Sequence, residues 1–266
     1  MRPIRLLIFF LLITALRCEA QTSKFFFPSG KLRCEGLVKD GKYEGLWTFY
    51  YESGLKSSLG TYVNGKIDGR WFFWDANGKM TQTGFYKNEL KDSLWVYWNP
   101  DGSKQKEGRF RNDKMNGLWI EWHTDTLKKS IGNYADDLKI GKWYYYRKNG
   151  KPEKEELFVN GKLEGLFRSY HENGVIEEEG ITKDDHAQKT WKFYDSNGKP
   201  YIIGTYKDGN WNGPYVNFYP NGKKASQGHY DMNRKTGKWK YYDQNGKLTK
   251  IEEYKDLKLF RETSYQ

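Results

Sequence analysis

The chain of 266 residues is poor in the groups that usually carry chemistry, with two cysteines and four histidines. Cys18 falls in a segment expected to be removed, which leaves Cys34 without a partner and rules out an intramolecular disulfide. His123 and His171 occupy the same position of a repeat but two units apart, roughly 20 Å at strand spacing, too far for one metal ion or one proton relay. His229 is isolated, and Asp184-Asp185-His186, the one dense polar cluster, reads more simply as a drifted turn than as a metal or ligand site. There is no phosphate-binding glycine loop before a helix, no nucleophile elbow and no CxxC pair. No catalytic residue, metal ligand or cofactor is therefore expected. Sustained apolar spacing at i, i+3, i+4 and i+7 is also missing, and glycine recurs too often for helices of ordinary length. Apolar residues make up 37% of the chain and mean hydropathy is −0.95, low for an aliphatic core. Aromatic residues, at 18%, must fill that role, padded by Lys and Glu stems.

A unit of 24 residues repeats nine times without insertion or deletion from Gly36 to Ile251. Position 1 is Gly except at Glu156, and position 3 is mostly Tyr or Phe. Position 10 is usually Gly. Position 12 is Trp47, Trp71, Trp95, Trp119, Trp143, Phe167, Trp191, Tyr215 and Trp239. Position 15 is aromatic in every unit: Tyr50, Trp74, Trp98, Trp122, Tyr146, Tyr170, Tyr194, Phe218 and Tyr242. Positions 18 and 19 form a turn dipeptide, most often Asn-Gly, with glycine at Gly54, Gly78, Gly102, Gly150, Gly174, Gly198, Gly222 and Gly246.

Asn-Gly between two β-prone runs predicts a two-residue hairpin turn at positions 18 and 19, because that turn needs positive φ. The aromatic run at positions 12 to 16 is the first strand and positions 20 to 3 the second. A second turn at positions 5 and 6, as in Asn64-Gly65, passes the chain to the next unit. The expected fold is all-β, an elongated single-layer array of antiparallel hairpins in which stacked units share their burial. Two strands per unit give a ribbon of about 85 Å at ~4.8 Å per strand, wide enough to coil. Positions 12 and 15 fall on opposite faces unless a bulge intervenes, so the sequence leaves open which ring row is buried.

Residues 1–20 differ in kind: two Arg precede an apolar run from Leu6 to Leu16, and Cys18-Glu19-Ala20 resembles a cleavage site before Gln21. The run is well short of the ~20 residues that span a bilayer, so a secretory leader is expected, with the protein periplasmic, in the outer envelope or secreted. Cys18 as a lipidated residue is the other option, with Arg17 against it. Residues 21–35 then form a half repeat in phase, 36–251 the nine units and 252–266 a terminal cap over the last strand edge. The first 20 residues carry three Arg and one Glu, so the chain's net charge of +11 becomes +9 without them. Basic and aromatic content together suit single-stranded nucleic acid, but export argues against it. An acidic protein, an anionic glycan or a lipid headgroup fits better, and solubility alone would also account for the charge.

The string Gly-x-Tyr-x-Asn-Gly-Lys-x-x-Gly-x-Trp-x-x-Tyr-x-x-x-Asn-Gly-Lys, seen in Gly60 to Lys79 and Gly204 to Lys223, resembles the MORN repeat in its bacterial variant, as in YwqK-type antitoxins. That resemblance covers essentially the whole of the chain after residue 20. It implies a hairpin array that mediates protein or membrane association rather than catalysis. The unbroken aromatic position 15, set against a polar second strand, makes that row the candidate binding surface and the position 12 row the structural one. Neutralising a cytoplasmic toxin does not fit a secretory leader, which leaves an antitoxin or immunity role as an alternative. Gly141 to Tyr146 followed by Asn149-Gly150-Lys151 is also similar to the choline- and glucan-binding repeats of secreted cell-wall proteins, although those run near 20 residues and open on Gly-Trp.

Overall fold

The computed structural model describes residues 22–265, so the leader and the Ala20–Gln21 junction lie outside the described residues. All regular structure in it is β: 22 strands run from Thr22–Phe26 to Lys258–Ser264. Every pairing is antiparallel and joins strands adjacent in the chain, except that Pro152–Val159 pairs with both Lys162–Leu163 and Gly165–Tyr170, so the sheet is one open meander. The segment expected to cap the array forms a further strand, Lys258–Ser264, exposed along its whole length.

Each unit supplies one strand over positions 7 to 15, such as Lys66–Trp74, and one from position 21 to position 4 of the next unit, such as Met80–Lys87. The first strand begins well before the aromatic run because a bulge carries it through position 10. Opposite Gly60 and Thr61, the register passes from Trp71 to Asp68, which leaves Gly69 and Arg70 outside the ladder. Gly69 has a φ of 75° there, and where glycine is replaced, Ser93 and Lys189 take 58° and 60°. A bulge bends and twists its strand without ending it.

The two-residue geometry expected at positions 18 and 19 is found instead at positions 5 and 6. At positions 5 and 6 both residues have positive φ, 52° and 82° at Asn64-Gly65 and 50° and 69° at Asn88-Glu89. That is the two-residue hairpin turn whose twist matches the strands. At positions 18 and 19 only glycine has positive φ, 80° at Gly78. Gly78 N donates to Asp75 O at 3.0 Å and Asp75 N to Lys79 O at 2.8 Å, closing a three-residue loop over Ala76–Gly78. This is a type I turn followed by a left-handed glycine, and Asp75 Oδ1 secures it by accepting from Asn77 N and Lys79 N. Asn-Gly thus marks the turn correctly, but the turn is one residue longer than expected.

The core lies on one face of the sheet. Trp47, Trp71, Trp95, Trp119, Trp143, Trp191 and Trp239 are all buried there. Six of these position 1 and position 12 partners follow one rule: a Cβ on Gly36, Gly60, Gly84, Gly108, Gly132 or Gly228 would stand within 3.0 Å of the indole of its own unit. Gly180 beneath Trp191 makes the seventh. Each indole Nε1 donates to the backbone carbonyl at position 2 beside the bulge, as Trp71 does to Thr61 O at 3.2 Å and Trp95 to Phe85 O at 3.0 Å. Edge-to-face contacts continue the row, with Tyr86 5.1 Å from Trp95 and Tyr134 5.0 Å from Trp143.

Candidate functional site

Position 12 is the core row. Its two substitutes, Phe167 and Tyr215, are half-buried. Position 15 lies on the opposite face with position 13, as the stacked rings of Phe72 and Trp74 at 6.1 Å show. Tyr50, Trp74, Trp98, Trp122, Tyr146, Tyr194, Phe218 and Tyr242 are half-buried there, and Tyr170 is buried.

On this second face the Tyr hydroxyls answer to position 24 of the preceding unit. Tyr50 donates to Glu35 at 2.7 Å, Tyr170 to Glu155 at 2.8 Å and Tyr194 to Glu179 at 2.9 Å, while Gln227 donates to Tyr242 at 3.2 Å. Burial, with the neighbouring carboxylate second, pushes the Tyr170 and Tyr194 phenols up to about 12. Trp74 and Phe218 carry no hydroxyl, and position 24 before them is Leu59 and Ile203.

The second face is not uniform along the array. Across the strand register its central ladder reads Thr48, Leu59, Phe72, Thr83, Val96, Glu107, Ile120 and Ile131. It then continues through Tyr144 into Glu155, Arg168, Glu179 and Lys192, where Arg168 Nε pairs with Glu179 at 3.1 Å. The apolar half is bordered by exposed side chains at positions 2 and 11: Leu46 at 62%, Phe85 at 41%, Leu94 at 43% and Leu118 at 47%. Arg70, which shares that border, lies 4.9 Å from the Phe72 ring centroid and 5.8 Å from that of Phe85. The first four units thus place Trp74, Trp98 and Trp122 along one side of a mostly apolar strip, interrupted by Glu107 and its partner Lys104 at 3.0 Å, and these exposed residues, alternating with Arg70 and Arg109, along the other. Sequence reasoning identified the ring row but not this border; its signal was an aliphatic position 11 in units one, three and four.

The polar candidates have structural partners. His123 Nε2 meets Tyr146 O at 2.8 Å and His171 Nε2 meets Tyr194 O at 2.7 Å, each tying one turn to the next. Arg147 and Tyr219 make the same link to Tyr170 O and Tyr242 O. Asp184 and Asp185 form a two-residue turn with φ of 49° and 67°. Asp184 binds Lys162 at 2.9 Å, Asp185 Oδ1 accepts from Leu163 N at 2.8 Å, and the His186 ring turns back to Asp184 O. Their side chains thus point to separate partners. Thr182, which stands at an aromatic position, is buried and donates to Gly165 O at 3.1 Å. The strongest irregularity is one unit earlier, where Glu156 and Phe167 replace Gly and Trp together and the strand divides into Lys162–Leu163 and Gly165–Tyr170. Glu156 is buried and paired with Lys154 at 2.6 Å.

An open meander of hairpins with a one-sided aromatic core and, among the described residues, no enclosed polar centre defines a repeat-array protein. The MORN repeat variant model matches residues 43–64, 67–88, 139–160, 163–184, 188–208, 211–232 and 235–256, more than half of the chain. The chain belongs to the MORN repeat variant family. The stretch between residues 88 and 139 lies outside the matched segments but keeps the same strands and bulges. No curated protein matches the chain. Among solved structures, a chain of "Crystal Structure of TcdB2-TccC3-TEV" is 12% identical over 88% of this chain, with a TM-score of 0.23. This chain spans 17% of that one, and at such a TM-score the likeness bears on neither fold nor function.

Proposed function

We propose that the protein is exported and acts as a non-enzymatic binding module, holding a protein partner of the cell envelope on the apolar half of its second face. The observation that carries this reading is the strip of the first four units, where Trp74, Trp98 and Trp122 face an exposed border of Leu46, Phe85, Leu94 and Leu118. Exposed apolar side chains gathered on one face mark a contact surface more readily than the same residues scattered singly. Aliphatic groups beside the rings suit apolar side chains of a protein better than the hydroxyl rim of a sugar. The charged, apolar and small-residue series of residues 1–20 supports export.

Two measurements test the reading. The intact mass of protein from its native host should correspond to an amino terminus at Gln21; an intact Met1 or a lipidated Cys18 would count against the soluble exported form. The immobilised protein should retain a discrete envelope protein that Leu94→Lys and Leu118→Lys release, both being exposed side chains whose exchange leaves the fold in place. Retention of a polysaccharide instead would favour the glycan-binding alternative.

A further inference from the structure

On the tryptophan face, the array builds its own cation nests. In units three, five and nine, position 8 is Lys91, Lys139 or Lys235, and its ammonium lies 4.2, 4.5 or 4.9 Å from the centroid of the position 12 indole. The position 3 ring of the following unit closes each nest, with Phe110 at 5.3 Å, Phe158 at 5.0 Å and Tyr254 at 5.6 Å. The position 14 hydroxyl of Tyr97, Tyr145 or Tyr241 accepts from the ammonium. The correspondence is complete across the nine units: position 8 is Lys only where position 14 is Tyr. A cation over an indole face, partly withdrawn from water, is favoured by the ring's negative face.

Unit four departs from this scheme in one direction. Position 8 is Met115 and supplies no charge, while position 14 is Glu121, a stronger acceptor for an ammonium than the phenol it replaces. Trp119 and Tyr134 still stand edge to face, 5.2 Å separating Trp119 from Phe110 on one side and 6.1 Å from Tyr134 on the other. A cavity of about 180 Å³ is left, lined by Met115, Trp119, Glu121, Tyr134 and Trp143 together with Ser130 and Lys106, the cross-strand partner of Glu121. The Lys106 ammonium belongs to the preceding nest, 5.1 Å from the Tyr97 centroid. Lys129 reaches Glu121 at 3.4 Å, but both side chains are largely in water, at 56% and 41% exposure, and such a pair holds its partner weakly.

We propose that this groove binds an alkylammonium group brought by another molecule, the end of a lysine side chain on a partner protein. The sister nests define the ligand, since each holds a lysine ammonium against the same ring positions. The anion at Glu121 and the uncharged Met115 leave this nest with its rings and its acceptor but no ammonium from position 8. The site lies on the opposite face from the apolar strip and does not depend on the function proposed for that strip.

The test uses N-acetyl-lysine methylamide as probe and N-acetyl-norleucine methylamide, its uncharged counterpart, as control, in ligand-detected NMR titrations of the protein. The lysine probe should bind saturably and the norleucine probe should not. Glu121→Gln, on a half-exposed side chain, should weaken binding by about tenfold or more, the usual worth of a charge-assisted hydrogen bond. Met115→Lys should fill the nest from within, abolishing binding while the melting temperature holds or rises. Equal binding of both probes, no binding of the lysine probe, or indifference to Glu121→Gln would overturn the proposal. So would binding that appears only in Lys129→Ala, because the nest would then belong to the chain's own lysine.

Discussion

Trp71 lies over Gly60, its register partner, so closely that a methyl group added to the glycine would stand within 3.0 Å of the indole. The indole cannot slide away without breaking the hydrogen bond from its Nε1 to Thr61 O at 3.2 Å. Gly60→Ala should therefore cost about 1–3 kcal/mol, the range for overpacking a filled core. The sixth unit shows the relief: with Phe167 at position 12, position 1 accommodates the side chain of Glu156. Combining Gly60→Ala with Trp71→Phe should then recover part of the loss, a coupling of about 1 kcal/mol or more in denaturant melts. Strict additivity would mean that the two positions do not share one volume.

Acid should loosen the carboxyl-terminal end first. Burial alone would raise the Glu252 carboxyl, but hydrogen bonds from Lys250, Tyr241, Lys235 and Tyr254 overcome it and hold the group at about 2. Because the folded value lies below the unfolded one, ordinarily about 4.3, the stabilisation is complete above that range and is lost as pH falls through the folded value. Protection of the Leu248–Lys255 amides against hydrogen exchange, relative to their intrinsic rates, should fall between roughly pH 4 and pH 2, and Glu252→Gln should remove most of that pH dependence. A profile unchanged by the substitution would assign the acid sensitivity to other carboxylates.

Stability should follow the repeat phase. Deleting Gly204 to Gln227, one whole unit, brings Gly228 into the place of Gly204 and preserves the alternation of long strand, loop, long strand and turn. Deleting twelve residues joins strands of the same kind and sets Trp rows against the wrong face. Circular dichroism melts should show a cooperative transition for the first deletion and a lost or broadened one for the second. Equal damage from both would indicate a single closed domain.

The hairpin array was legible in the sequence because glycine and ring positions recur in phase, and a 24-residue period has few other physical readings. The loop length at Asn77-Gly78 was not, because Asn-Gly serves two-residue and three-residue loops alike, and the residue that opens the loop varies from Asp75 to Tyr51, Arg147 and Tyr219 while the loop stays the same. The buried row was not legible either. Positions 12 and 15 carry equally large rings, and what separates them is the bare glycine that pairs with position 12. The nests were spelled out in the covariation of Lys91 with Tyr97, Lys139 with Tyr145 and Lys235 with Tyr241, a signal between positions that a scan of each position alone passes over. The apolar strip emerged only when the strand register brought Leu59, Phe72 and Val96 into one ladder.

The two faces are assigned different work, and Trp95 and Trp98 test that division within a single strand, Leu90–Trp98. Trp95 is wholly buried with its Nε1 bonded to Phe85 O, so Trp95→Ala should cost about 3–5 kcal/mol. Trp98 is half-buried on the second face, and Trp98→Lys should lower stability by less. Capture of the envelope partner by each folded variant, measured beside its melting temperature, is the most direct test. Expected is a Trp98→Lys protein that melts near the wild type but no longer retains the partner, and a Trp95→Ala protein that loses its fold first. Full retention by Trp98→Lys together with Leu94→Lys and Leu118→Lys would contradict a binding role for this face.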